Sequence, residues 1–326
     1  MSHAYIDSPD SPKVTYSPAY TLVPTYECFN RCTYCNFRAD LGKSPWMSVA
    51  SAQRLLKSLS NSGIIEILIL SGEVHPMSPE RRAWCDRIYT LCELALSMGF
   101  LPHANAGPLT FAEMARLKEV NVSMGLMLES LAPQLLQTVH RHAPSKEPTL
   151  RRQQLQWAGE LSIPFTTGLL LGIGETWVDR RATLEAIALI HQQWGHIQEV
   201  ILQPYSSGEQ IAEDIPGFNL QELPEVVAEA REILPSEITL QIPPNLVTEP
   251  DILLECLDAG VRDLGGIGPI DEVNPSYPHL HKEKLKAILS KKGWSLAPRL
   301  PIYPQYDSWL GEALFRAVKR WHLVRV

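Results

Sequence analysis

The chain contains no apolar run approaching the roughly 20 residues that cross a membrane. Its first stretch, MSHAYIDSPDSPKVTYSP, lacks the apolar core of a signal peptide. Positive charge is short: 29 Lys and Arg face 36 Asp and Glu, for a net charge of -7. A nucleic acid or an anionic membrane is therefore not the expected partner. Cysteine is scarce too, with 6 in 326 residues, too few for a disulfide scaffold. These shortages predict a cytoplasmic protein of a reducing compartment, whose clustered cysteines are metal ligands or redox groups. Hydrophobic residues make up 45% of the chain, enough for a sizeable core.

What is present is an alternation. Residues 1–17 are rich in Pro, Ser and Asp and read as a loose N-terminal arm. Short apolar runs then alternate with helical patterns. TLVPTY (21–26) reads as a strand and 49–63 as a helix ending at Gly63. IIEILIL (64–70) is a continuous β-branched run, as in a buried parallel strand. Strands at 101–105, 122–128, 164–172, 197–203, 238–242 and 261–267 alternate with helices at 79–99, 110–120, 149–161, 177–194, 223–234, 251–260 and 281–293. About eight βα units predict a closed parallel (βα)8 TIM-type barrel over 18–294, with the doubly wound open sheet as the alternative. Residues 295–326 read as a C-terminal extension: a Pro-rich linker, then one helix packed on the outside or over a barrel end.

Three of the six cysteines fall within CFNRCTYC, at Cys28, Cys32 and Cys35, directly after the first predicted strand. Barrel enzymes place their chemistry at the C-terminal strand ends, so this loop falls where an active site belongs. A tetrahedral zinc site would want a second knuckle, and none exists. Cys85, Cys92 and Cys256 are isolated, and His103, His140 and His142 have no knuckle partner. A pure electron carrier would supply four thiolates. Three thiolates fit a [4Fe-4S] cluster with one iron left open to a small molecule.

The CxxxCxxC spacing, with Tyr34 before the last cysteine, resembles the radical S-adenosylmethionine (SAM) superfamily. The resemblance implies that SAM chelates the open iron and is split by one electron into methionine and a hydrogen-abstracting 5′-deoxyadenosyl radical. Ser71-Gly72-Glu73 resembles the superfamily's GGE-type grip on the SAM amino group, with serine in place of the first glycine. Glu129, in GLMLES, resembles the ribose-binding acid of biotin-synthase-like members. Gly172 and Gly174, in GLLLGIGET, resemble their adenine motif. Arg151, seventeen residues before Gly168, falls where those enzymes pair an arginine with the SAM carboxylate, although Arg152 is adjacent.

YECFNRCTYCNFR, HRHAPSKEP, IPFTTGLLLGIGETW and PRLPIYPQY together resemble a narrower family, the CofG-type subunit of 7,8-didemethyl-8-hydroxy-5-deazariboflavin (FO) synthase, from about Tyr20 to Tyr306. That resemblance implies a lyase acting on 5-amino-5-(4-hydroxybenzyl)-6-(ribitylimino)-dihydrouracil. Hydrogen abstraction, ring closure and loss of ammonia would give the deazaflavin precursor of coenzyme F420. It implies a partner radical SAM subunit that transfers the 4-hydroxybenzyl group, and reduced ferredoxin or flavodoxin as electron donor. At the strand ends, His75, His103, Asn105, Gln203, Tyr205 and Asn245 are expected to build the substrate pocket, with His75 or Tyr205 as acid or base. The alternatives are another biotin-synthase-like enzyme of hydrogenase-maturation or menaquinone-pathway type, a non-catalytic iron–sulfur carrier, and a structural zinc protein.

Overall fold

Alternating buried runs and amphipathic stretches become strands and helices in the order the sequence predicts. The computed structural model describes residues 11–208 and 215–324. The first ten residues of the expected arm and the last two of the extension lie outside the described residues. The strands are β1 (Lys13–Leu22), β2 (Glu66–Leu70), β3 (Leu101–Asn105), β4 (Ser123–Gly125), β5 (Phe165–Leu171), β6 (Ile197–Pro204), β7 (Thr239–Gln241), β8 (Asp263–Ile267) and β9 (Ser295–Pro298). All pair in parallel, and β1 pairs with both β2 and β8, which closes the barrel. The fold is the expected (βα)8 barrel.

The helices are α1 (Val49–Ser58), α2 (Arg81–Ser97), α3 (Phe111–Lys118), α4 (Pro148–Glu160), α5 (Trp177–Trp194), α6 (Leu223–Ile233), α7 (Pro250–Ala259), α8 (Lys282–Ser290) and α9 (Glu312–Val324). Local chemistry sets their ends. Reciprocal capping boxes, Thr110 with Glu113 and Thr176 with Asp179, start α3 and α5. Gly195, in the left-handed region at φ 66°, ends α5. Every residue of β5 is buried, as a strand between barrel core and helix layer requires.

Two expected domain boundaries move, and the first strand, expected at 21–26, spans Lys13–Leu22. Residues 13–17, assigned to the arm by their polar composition, begin β1, paired to β8 on one side and β9 on the other. The extension does not start outside the sheet either. Ser295–Pro298 adds β9 alongside β1. Both changes have one cause: pairing partners hundreds of residues apart in the chain satisfy backbone groups that neither segment's own composition favours as strand.

After β9 the chain crosses the N-terminal end of the barrel. There Arg299 donates to both Asp263 oxygens, at 2.6 and 2.8 Å, and pairs with Glu199. Tyr303 and Thr166 donate to Glu199, each at 3.0 Å. This network seals the lower end. Beyond it, Leu300, Ile302, Tyr306, Leu314 and Val318 pack on Ile65, Leu101 and Val122, which docks α9 on the outside.

Candidate active site

The cysteine loop leaves the C-terminal end of β1 and is pinned by backbone hydrogen bonds to neighbouring strand-end loops. Phe29 donates to Glu73, Arg31 to His142 and Thr33 to Val139. Cys28, Cys32 and Cys35 are half-buried free thiols. All three line one cavity of about 230 Å³ at the upper end of the barrel. Burial raises the Cys28 thiol and pushes Cys32 up to about 12. The protein alone therefore keeps them protonated, and thiolates here call for a cationic group to compensate their burial. Among the described residues, no group of three or more His, Cys, Asp and Glu is placed to hold a metal ion. Three thiols around one cavity suit a cluster instead, in which each thiolate meets a different iron. The residues present fit that group.

Across the cavity stands a charged wall. Ser71, Gly72, Glu73, Glu129, Lys146 and Arg151 line it together with the cysteines. Gly72 is required by space: a Cβ there would lie 2.2 Å from the Glu27 carbonyl oxygen. Ser71 spends its hydroxyl on the Gly72 carbonyl, at 2.8 Å, and accepts from the Trp84 indole. Glu73 accepts from Asn30, at 2.9 Å. Asn30 also approaches the Cys28 sulfur at 3.7 Å, so it couples the acid to the cysteine loop.

Glu129 is the most constrained member. It adopts φ 68° without being glycine, a strained conformation held by β-bridge hydrogen bonds to β5. Burial would raise its carboxyl, but the Lys146 and Arg151 cations overcome that and hold it at about 2. Lys146 pairs with Glu129 directly, and Tyr34 donates to it at 2.8 Å. The Tyr34 oxygen lies 3.0 Å from His140 Nε2. Since Tyr34 spends its proton on Glu129, His140 must donate through Nε2. Burial lowers His140 to about 4, so it is neutral at physiological pH.

Arg151 is 2% exposed and lines the cavity, whereas Arg152 faces solvent. Its guanidinium donates to the Ser145 and Met127 carbonyls. It reaches Glu73 only at 3.5 Å and Glu129 only at 3.7 Å.

The other expected residues separate. Asn105, Gln203 and Tyr205 line the cavity. The Tyr205 hydroxyl is buried with no partner in hydrogen-bonding geometry, although Ser207 lies close. Gly172 and Gly174, at φ 88° and 113°, do not line it. They form the turn into α5, closed by Glu175, which accepts from Gly172 and Ile173 and is held by Arg180. His75 is not brought to the site. It is exposed, meets Phe29 edge-to-face with ring centroids 5.0 Å apart, and accepts from the Met77 amide. Strand-end position placed it near the rim, but the turn after Glu73 directs it outward. His103 lies deeper, on an adjoining cavity of about 150 Å³ that shares Asn105, Leu126 and Met127 with the first, and burial there lowers it to about 3. Asn245 lines a third cavity. Sequence reasoning missed Asn30 and Lys146, and weighed His140 only as a zinc ligand; all three lie in segments quoted for their resemblance.

A family model described as the radical SAM superfamily matches residues 22–187. The chain is 66% identical over 316 residues to the 7,8-didemethyl-8-hydroxy-5-deazariboflavin synthase of Trichormus variabilis, covering 97% of this chain and 93% of the relative. It is 64% identical to the synthase of the same name from Nostoc sp., with the same coverage. In fold it is similar to the FeFe-hydrogenase maturase HydG of Carboxydothermus hydrogenoformans, with a TM-score of 0.71 at 17% identity over 94% of this chain and 77% of the other. Methylornithine synthase PylB follows with a TM-score of 0.63 at 13% identity, over 91% and 86%.

Proposed function

The chain belongs to the radical SAM superfamily and, within it, to the 7,8-didemethyl-8-hydroxy-5-deazariboflavin synthase family, and from that premise we propose how its residues divide the work. The enzyme makes the deazaflavin precursor of coenzyme F420, and its family works with a [4Fe-4S] cluster and SAM. The reading proposed here is a lyase acting on 5-amino-5-(4-hydroxybenzyl)-6-(ribitylimino)-dihydrouracil, with ring closure, loss of ammonia and loss of one further electron from the cyclised radical, so that SAM is the net oxidant. A separate radical SAM subunit supplies that intermediate, and reduced ferredoxin or flavodoxin supplies electrons.

One observation carries the assignment: three thiols and an under-paired arginine with two acids face each other across a single cavity. Cys28, Cys32 and Cys35 hold the cluster. When bound, the cluster and SAM supply a 5′-deoxyadenosyl radical that takes a hydrogen atom from the substrate.

Arg151 reads the SAM carboxylate and Glu73 the amino group, a match of opposite charges. Glu129, kept ionised by Lys146, accepts from the ribose hydroxyls, while Tyr34 and His140 fix its rotamer. The Ser71–Gly72 backbone brings the chain close to the methionine end. Gly172 and Gly174 shape the adenine edge through the turn they form. Tyr205, whose buried hydroxyl has no hydrogen-bond partner, delivers the proton that leaves with ammonia.

The test is anaerobic reconstitution, reduction and addition of SAM with the partner subunit, tyrosine and the diaminouracil. Both 5′-deoxyadenosine and deazaflavin fluorescence are expected. Deoxyadenosine without fluorophore would refute the substrate; neither, with an intact cluster, would favour an electron carrier. Tyr205→Phe should slow product release of ammonia while deoxyadenosine still forms.

A further inference from the structure

The barrel wall is weakest between β7 and β8, where the two strands share one residue pairing, Gln241 with Asp263. A cavity of about 120 Å³ opens there, beneath the loops that follow both strands. It adjoins the cysteine-lined cavity: Leu70 and Val273 line both. We propose that this side cavity holds the ribityl chain of the substrate, the polyhydroxylated part that a riboflavin analogue carries. The proposal rests on the reaction read above.

The lining points to a neutral polyol. No lysine or arginine lines the cavity among the described residues, so it is not built for a phosphate or for the SAM carboxylate. Its polar groups are those that exchange hydrogen bonds with hydroxyls: the Thr21 hydroxyl, the amides of Gln241 and Asn245, the carboxylates of Asp271 and Glu272, and the His279 ring, which burial lowers toward its neutral form. Asn245 donates through Nδ2 to Asp271 and to the Tyr277 carbonyl, at 2.8 and 2.9 Å. Both partners are acceptors, so the amide orientation is set by chemistry, and its Oδ1 is left buried with no partner. Glu272 accepts from Tyr26, at 2.6 Å, through Oε2 alone. Glycine clears the wall: at Gly265, φ 72°, a Cβ would lie 2.3 Å from Gln241 Nε2. The geometry also orders the substrate. With the polyol in the side cavity, the ring system projects past Leu70 and Val273 into the space between the cysteines and Tyr205.

The test is binding, measured on the cluster-loaded protein by fluorescence of the deazaflavin product and of an analogue whose ribityl group is replaced by methyl. The product should bind about 10-fold more tightly or better. Gln241→Leu, and separately Glu272→Gln, which keeps an acceptor for Tyr26, should erase most of that preference. Neither should alter the affinity for the methyl analogue or for SAM. Variants that keep the full preference, or that weaken both ligands equally, would overturn the subsite. Intact discrimination in a protein that makes no deazaflavin would uphold the subsite and refute the reaction instead.

Discussion

Two buried arginines stand at opposite ends of the barrel, each beside two acids, and they are used differently. At the lower end, Arg299 is saturated. It chelates Asp263 with two short hydrogen bonds and pairs with Glu199, which Tyr303 and Thr166 also satisfy. At the upper end, Arg151 spends its short hydrogen bonds on carbonyls and keeps its acids at 3.5 and 3.7 Å. The same residue types thus build a closed plug in one place and an open wall in the other. A saturated network gains nothing from a ligand; a slack one has bonds left to offer.

The largest expected effect breaks the upper end outright. Cys32→Ala should abolish the cluster absorbance and reduce turnover beyond detection, whereas Cys85→Ala, a buried position on α2 away from the cavity, should keep both and cost about 1 kcal/mol of stability. An active Cys32→Ala enzyme would end the assignment.

Next comes the lower end. Arg299→Met leaves Asp263 and Glu199 buried without their cation, and should lower unfolding free energy by about 3–5 kcal/mol. The folded fraction should still cleave SAM, because nothing from this network lines the upper cavity. A loss of SAM cleavage at unchanged stability would invert the comparison.

A smaller effect is expected from Glu129→Gln. SAM affinity, read by calorimetry, should fall about 10- to 100-fold with iron content unchanged, since a hydrogen-bonded charged acceptor is removed. Equal SAM affinity in wild type and variant would take Glu129 out of the site.

The smallest and most diagnostic is the pH dependence of stability. Burial raises Glu199 from 4.5 to about 7 despite Arg299, because Asp263 competes for the same cation. The folded state then holds a proton that the unfolded state releases, so this group's contribution is full below about 4.5 and is lost as pH rises to about 7. Glu129 behaves oppositely: held at about 2, it contributes above 4.5 and loses that contribution as pH falls toward 2. Glu199→Gln should flatten the decline of denaturation midpoint between pH 4.5 and 7. Glu129→Gln should flatten only the acid limb. An unchanged neutral limb in the first variant would show that Glu199 is ionised throughout.

Much of this protein could be read without coordinates. Strand and helix positions follow from hydrophobic period and from local punctuation by proline and glycine, which act within a few residues. The cysteine triad is equally local, since its spacing is its chemistry. Arg151, Glu129 and the Ser71–Glu73 turn were placed by resemblance, and the cavity gathers them. His75 shows the limit: position after a strand says that a side chain is near the rim, not whether it turns inward.

The remainder depends on long-range partners. β1 starts at Lys13 because β8 and β9 hydrogen-bond to it from more than 240 residues away. Lys146 matters because folding sets it against Glu129, seventeen positions earlier, in a site dry enough for one charge to govern another. Sequence specifies which groups exist and which local turns they favour. Burial decides which charges are coupled, and only the closed barrel creates that burial.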